Sequence, residues 1–346
     1  MRSISGADGG GQLVRSAAAF ACLSGHAVEV TDVRAARESP GLKRQHVAAL
    51  DALAAITDAD LDGASVGSER VTIDPGPVTG GAARVEIGTA GSVPLVFDAV
   101  LPLAARLDSA FELTVTGGTD VRWAPPLDYL AHVKLPLLRA HGLEATVTPD
   151  RRGFYPAGGG AATLTLRPSE IDPLVLPSRG PRRAIDVRSV ASASLADADV
   201  AQRQADAASE AVTGDVSTTV ASAETDSPGS VVTLVARYAE TRAGFSALGE
   251  RGKSAEDVAR EAVAAFEGFD ATAASVDAHL ADQLLPFAAF AGGAYVAPER
   301  SDHLETHADL LDAFGVDVTI GEGAGGDDGD AGDECVRVRV ASGLSP

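Results

Sequence analysis

The stretch DGGGQLVRSAAAFACLSG, residues 8–25, decides how the rest of the chain is read. Three glycines open directly onto an apolar run, and the spacing predicts a helix over 11–25 with a glycine turn at its start. Downstream come a strand over 28–33, a helix over 42–56 and a strand pair over 64–87. The same order returns twice. A helix over 92–107, a strand over 111–116, a helix over 126–141 and a strand pair over 144–166 form a second copy. Segments 279–290, 294–297, 303–314 and 316–340 form a third. The first two copies are offset by about 80 residues, the signature of an internal repeat. The expected architecture is α+β: a large domain of three repeated α/β units, each with two helices on one face of a small four-stranded sheet.

Between the second and third copies the rhythm changes: strand 184–194, helix 197–212, strands 216–223 and 231–238, helix 254–269. The approach PSRGPRR, 177–183, has linker composition, and Ser254 with Asp257 three residues on marks a helix N-cap. A smaller inserted α/β domain is expected at 183–274. It divides the large domain into 1–182, holding two repeats, and 275–346, holding the third. A chain of 346 residues suits two such bodies. The stretch GEGAGGDDGDAGDE, 321–334, has nothing apolar to bury and is expected to be a solvated, mobile loop; the ligand spacing of a calcium hand is absent from it.

Acids outnumber bases 49 to 28, for a net charge of −21, and only Lys43, Lys134 and Lys253 are lysine. Such a composition, poor in lysine and in aromatic rings, fits a halophilic protein. Acids adapted to one cationic partner would stand in blocks, whereas these are spread along the chain. In molar salt the Debye length is about 3 Å, so the net charge does not exclude a polyanionic partner. No apolar run reaches the roughly 20 residues of a membrane span, and the N-terminal residues lack the apolar core of a secretory signal. A cytoplasmic protein without a membrane partner is expected. Cys22 and Cys335 both lie in apolar patterns, which points to burial and away from a disulfide or a zinc site.

Glycine or glycine-proline turns stand before several helices: DGGGQ at 8–12, SPGLKRQH at 39–46, TAGS at 89–92 and GGTDVRWAPP at 117–126. Backbone amides at helix starts bind anions, and glycine lets phosphate approach closely. Neither a Walker A sequence nor a strand-linked GxGxxG occurs. Lys43 and Arg44 begin a helix, where a cation opposes the dipole; in a chain this poor in lysine, such a pair points to phosphate binding. Arg15, on an otherwise apolar helix, can face the same anion. Among the seven histidines, His303 and His307 sit one turn apart, but SDHLETH lacks the HExxH order of zinc proteases. The bland reading of His303 is a residue near a helix start capped by Ser301 or Asp302; the sharper one is a catalytic group.

Taken in order, DGGGQLVRSA, ESPGLKRQH, GSVPLVFDAVLP, GGTD followed by APP, GFYPAGGG, HLADQLLP and SDHLETH resemble successive blocks of the RNA 3'-terminal phosphate cyclases. The resemblance runs from Gly6 to about Val340. It implies repeats similar to the C-terminal domain of bacterial translation initiation factor three. It also implies an ATP-dependent ligase-class reaction with Mg²⁺ or Mn²⁺, acting on RNA with a 3'-phosphate end. In that family a histidine at the position of His303 takes AMP from ATP and passes it to the RNA phosphate, which the neighbouring 2'-hydroxyl then closes into a 2',3'-cyclic phosphate.

The resemblance assigns further roles singly. Asp8 stands near the metal and triphosphate, and Arg15, Lys43 and Arg44 near phosphates. Pro125 forms one wall of the adenine slot, with Tyr129 at its border and His279 where a stacking tyrosine is usual. Asp282 and Gln283 line the site, Asp282 orienting the His303 imidazole. Three departures stand out: Asp8 replaces a glutamate, His279 the tyrosine, and Asp98 a glutamine, which adds negative charge. Two other readings accompany this one. One is a non-catalytic cyclase-like RNA-binding protein of ribosomal RNA processing, against which His303 speaks. The other is an enolpyruvyl-transferring enzyme sharing the repeat architecture.

Overall fold

The computed structural model describes residues 1–7, 9–322 and 335–344. Asp8 and most of the acidic stretch 321–334 therefore lie outside the described residues. Among the described residues, mixed helices and strands form four four-stranded sheets, and no helix is long and apolar enough to cross a membrane.

Three sheets share one connectivity. In the first, β1 (Arg2–Ser5) and β2 (Val28–Thr31) are parallel and joined by α1 (Gly11–Ser24). The chain then runs through α2 (Arg44–Thr57) into β3 (Asp60–Asp62) and β4 (Val71–Asp74), and β4 inserts between β2 and β3. The second sheet repeats this with β5 (Gly81–Glu86), α3 (Val93–Val100), β6 (Phe111–Gly117), β7 (Ala145–Arg151) and β8 (Gly160–Leu166). Its second helix is α4 (Leu127–Tyr129) and α5 (Leu135–Arg139), joined by a π turn at Leu130–Lys134. Pro136 has no N–H to bond back to the preceding turn, and the wider turn relieves the mismatch.

Here the sequence reading needs correction. It put 64–87 in one unit, but β5 pairs in parallel with β6 and so opens the second sheet. It also began the third unit at 279, whereas that sheet takes its first strand, β9 (Leu174–Leu176), from before the inserted segment, placed parallel to β14 (Gly293–Ala297). Proline punctuates the expected helices: 92–107 divides into α3 and a 3-10 turn at Leu101–Arg106 containing Pro102.

The inserted segment holds β10 (Arg182–Ser192), α6 (Val200–Ala211), β11 (Val216–Ala223), β12 (Ser230–Tyr238), β13 (Arg242–Leu248) and α7 (Ala255–Asp270), in the sheet order β11-β10-β12-β13. β13 was missed because RAGFSAL offers little β-branched signal. Ser254 caps α7, accepting from Asp257 N–H at 3.1 Å. This sheet has its own core, with Phe245 packed on Phe266 and Phe269. Arg179 clasps its two ends: the guanidinium donates to the carbonyls of Phe269, Asp270 and Ala274 and lies over the rings of Tyr238 and Phe269.

The third sheet closes with α8 (Ala278–Gln283) and α9 (Leu285–Ala291), then β14, α10 (Asp302–Ala313), β15 (Val318–Glu322) and β16 (Val336–Val340). The helices of all three units meet in one contiguous core. α1 lies at its centre, packed against α2, α3 and α10. Its run of alanines, fully buried at Ala17, Ala18 and Ala21, keeps the helix narrow enough to be surrounded.

Candidate active site

A cavity of about 660 Å³ opens where the starts of α1, α8 and α10 and the loop before α4 converge, with β13 of the inserted sheet closing one side. Its wall brings together Arg15, Pro125, His279, Asp282, Gln283 and His303. Lys43 and Arg44 stand outside that wall, at the start of α2, where Arg44 is exposed and its Nη1 lies 3.2 Å from where a Cβ on Gly88 would be. The two helix starts are nonetheless in contact. His46, in the first turn of α2, lies against Gly11, where any Cβ would collide with the ring. Arg37, which the sequence reading passed over, reaches toward Gly10.

α10 presents His303 at its second position because Ser301 caps the helix, accepting from Leu304 N–H at 3.2 Å. The proton positions around it follow from one amide. Gln12 Nε2 faces the His303 carbonyl at 3.3 Å and must donate there, so Oε1 faces His303 Nδ1 and accepts its proton. The same Nε2 donates to Nδ1 of His307 at 2.8 Å, which leaves the His307 proton on Nε2, directed at Ser16 Oγ. His303 Nε2 therefore keeps its lone pair. Burial first, then the charge of Arg15, holds the His303 pKa below its ordinary value. The same causes take His307 down to about 3. A neutral imidazole with one nitrogen fixed as donor is a ready nucleophile.

The resemblance implied that Asp282 orients His303. The structure puts Asp282 beside His307 instead, its Oδ2 3.6 Å from Nδ1, and gives the contact with His303 to Gln12. One helical turn separates the two histidines on one face, and α8 meets α10 at the lower one. Burial pushes the Asp282 carboxyl up to about 7, against the pull of Lys134 and Arg15. Because this folded value lies above that of an unfolded aspartate, about 3.9, the group favours the fold most in acid, and that contribution is lost as pH rises through 7. Asp282→Asn is accordingly expected to raise the melting temperature little at pH 5 and clearly at pH 8. A gain of equal size at both pH values would contradict the assignment.

Asp98 adds less negative charge than expected, because Lys134 Nζ, 2 % exposed, lies 2.8 Å from its Oδ1. Burial lowers the Arg15 pKa, with Asp98 and Asp282 pulling it back. Neither carboxyl suits a divalent ion, one being bound to lysine and the other pushed toward its neutral form. Among the described residues no cluster of three His, Cys, Asp or Glu side chains stands ready for a metal.

On the opposite wall Asp277 sets His279. Its Oδ1 accepts from the His279 and Leu280 amides at 2.9 and 3.0 Å and from Tyr129 OH at 2.6 Å, and its Oδ2 accepts from Gly244 N–H of β13 at 2.9 Å. Tyr129 does not border the slot as expected. It is buried behind it, edge-on to the His279 ring with centroids 5.5 Å apart. A Cβ at Gly244 would meet that tyrosine at 2.6 Å, so only glycine lets the inserted sheet close here. Gln12, Ser16 and Lys134 are site residues that sequence reasoning missed, and His307 was noted beside His303 without a role. Lysine scarcity was the available signal for Lys134, and the turn spacing for His307.

Comparison with known proteins agrees with the blocks read from the sequence. The family model described as RNA 3'-terminal phosphate cyclase matches residues 7–320. The RNA 3'-terminal phosphate cyclase of Halobacterium salinarum is 51 % identical over 92 % of this chain and 96 % of its own. Those of Archaeoglobus fulgidus and Pyrococcus furiosus are 41 % and 38 % identical, each over 89 % of this chain and over 93 % and 90 % of their own. The enolpyruvyl transferase NikO of Streptomyces tendae matches 47 % of this chain and 31 % of its own at 15 % identity and a TM-score of 0.28, too slight a likeness to bear on the fold. With the family model spanning most of the chain and several relatives matched over nearly their whole length, the chain belongs to the RNA 3'-terminal phosphate cyclase family.

Proposed function

We propose that the protein converts an RNA 3'-phosphate end into a 2',3'-cyclic phosphate at the expense of ATP, with His303 as the residue that carries AMP. The observation that supports this most is the Gln12–His303–His307 arrangement, which leaves the lone pair of His303 Nε2 at the cavity wall near Arg15. In the first step that nitrogen attacks the α-phosphorus of ATP and pyrophosphate departs. An oxygen of the RNA 3'-phosphate then attacks the AMP phosphorus and releases His303. Finally the 2'-hydroxyl, losing its proton, attacks the activated 3'-phosphorus and AMP leaves. Adenylation supplies the leaving group that a bare phosphate monoester lacks.

Arg15 offers fixed positive charge to the phosphates, and Lys43 and Arg44 serve incoming phosphate from the start of α2. Pro125 and His279 hold adenine between them, with Gln283 and Asp282 below. A bound Mg²⁺ or Mn²⁺ would neutralise charge on the triphosphate, and Asp8 is the residue of this chain proposed to hold it. The domain reading of 1–182, 183–274 and 275–346, with units akin to the C-terminal domain of translation initiation factor three, belongs to the same proposal, as does a cytoplasmic, halophilic setting.

The test is incubation with α-labelled ATP and Mg²⁺ or Mn²⁺ in molar KCl, followed by a denaturing gel. Label that survives denaturation, is lost in acid and persists in alkali identifies a histidine phosphoramidate. Absence of label across several salts and metals would favour the non-catalytic RNA-binding reading. The acidic composition adds a further expectation: activity and melting temperature fall together in dilute salt as close acids repel with less screening, and undiminished activity at low ionic strength would discredit the halophilic reading.

A further inference from the structure

Trp123 is the only tryptophan of the chain and stands 93 % exposed on the wall of the cavity. Its φ of 61° lies in the left-handed region, which is costly for any residue with a Cβ. The loop is pinned on both sides of it. Before it, the amides of Thr119 and Asp120 donate to the Gly153 carbonyl at 2.9 and 3.2 Å. Arg122 is ion-paired with Glu250 of the inserted segment, and after it Pro125 and Pro126 lead into α4. A large apolar ring is thus held out in water by a braced, strained loop, in a chain only 4 % aromatic.

We propose that the Trp123 indole is a stacking platform for the base of the 3'-terminal nucleotide of the RNA, an inference that rests on the function proposed above. Pro125, the expected adenine wall, is two residues further along the loop. A ring with this little protein contact therefore suits the substrate that arrives from outside with its phosphate directed inward. The charge balance selects the kind of grip. In the molar salt that this acidic composition suits, a grip on RNA along its phosphates weakens steeply. Stacking on an aromatic face is uncharged and tolerates any base, as an enzyme acting on RNA ends requires.

Because no other tryptophan is present, fluorescence of the full chain excited at the red edge, where tyrosine does not absorb, reports position 123 alone. Three probes are titrated in molar KCl without ATP: a 3'-phosphorylated oligoribonucleotide, the same oligonucleotide with an abasic 3'-terminal residue, and adenosine 5'-(α,β-methylene)triphosphate. Quenching is expected from the first, several-fold weaker binding from the second and no quenching from the third. Equal quenching by the abasic end, or quenching by the nucleotide analogue alone, overturns the proposal, the latter because the ring would then face adenine. In steady state Trp123→Ala is expected to raise KM for the RNA about 5- to 100-fold with kcat little changed, and Trp123→Phe to recover most of the loss; a loss confined to kcat contradicts it. Fluorescence needs no turnover. A protein that quenches without cyclising counts against the reaction and not the stacking, whereas one that cyclises without quenching counts against the stacking alone.

Discussion

His303→Ala is expected to lower AMP attachment and RNA cyclisation by at least about a thousandfold, the scale on which loss of a covalent nucleophile acts, while leaving the melting temperature nearly unchanged. The imidazole lies partly desolvated against the cavity wall at the start of α10, outside the buried core, and the helix is anchored by other residues: Ser301 caps it, and Leu304, Leu310 and Leu311 are buried beneath it. Alanine suits a helix interior, so unfolding does not confound the measurement. Gln12→Ala separates orientation from nucleophilicity. Without the amide, His303 keeps its lone pair but loses the partner that fixes its proton on Nδ1, and a loss of about 10- to 100-fold is expected. The assay is label retained on the protein in a denaturing gel, read against circular dichroism of each variant. Label on His303→Ala equal to wild type would remove His303 from the reaction.

Arg152→Ala carries the largest expected cost in stability, about 3–5 kcal/mol. Arg152 donates to both oxygens of Asp120 at 3.0 and 3.2 Å and to Asp128 Oδ1 at 2.7 Å, and the two acids are 1 % and 4 % exposed. Desolvation works against the guanidinium charge, but Asp120 and then Asp128 outweigh it and hold its pKa above the ordinary value. Without the arginine two buried carboxylates face each other. Burial already holds the Asp120 carboxyl above its ordinary value against the pull of Arg152, and without that pull its pKa in the folded variant rises further above the unfolded value. A carboxyl raised in this way favours folding in acid and loses that contribution as pH climbs through its folded pKa. The deficit relative to wild type should therefore be widest at pH 8 and narrow toward pH 5, as read from the midpoint of urea unfolding. Asp120→Asn in the same background should recover much of it. A deficit below about 1 kcal/mol at both pH values, the size of an exposed pair, would show that these charges are not buried together.

How much of this the sequence revealed depended on how local each signal was. The helices and most paired strands follow from periodicity, whereas the site residues were named by the resemblance of the blocks to a family, glycine turns pointing only to anion binding and the spacing of His303 leaving its role open. Assigning β5 and β9 to their sheets depends on parallel pairing with strands far along the chain, and three residues such as Leu174–Leu176 carry no periodicity at all. Asp282 was matched to the wrong histidine because one helical turn is all that separates His303 from His307. Tyr129 was read as facing the slot because sequence gives its helix but not the hydroxyl bond to Asp277 that turns it inward. Gln12 lay inside the block that named the family, yet its work on two imidazoles needs a helix that arrives almost three hundred residues later.

The place of insertion also gives the chain a timetable. β9 emerges from the ribosome before the whole inserted sheet, and its partner β14 emerges well over a hundred residues after it, which at about 5–20 residues per second is on the order of ten seconds. During that interval the inserted sheet can complete itself, since its own strands are neighbours in sequence. Once it has done so, the Arg179 clasp holds 179 beside 269–274, and the loop that β9 must close shrinks from the full intervening length to about twenty residues, the short lead from β9 to 179 and the stretch from 274 to β14. Loop-closure entropy grows with the logarithm of length, so early maturation of the guest lowers the barrier to completing its host. Through the Arg179 clasp the inserted sheet thus brings nearer the two chain ends that its own presence separates.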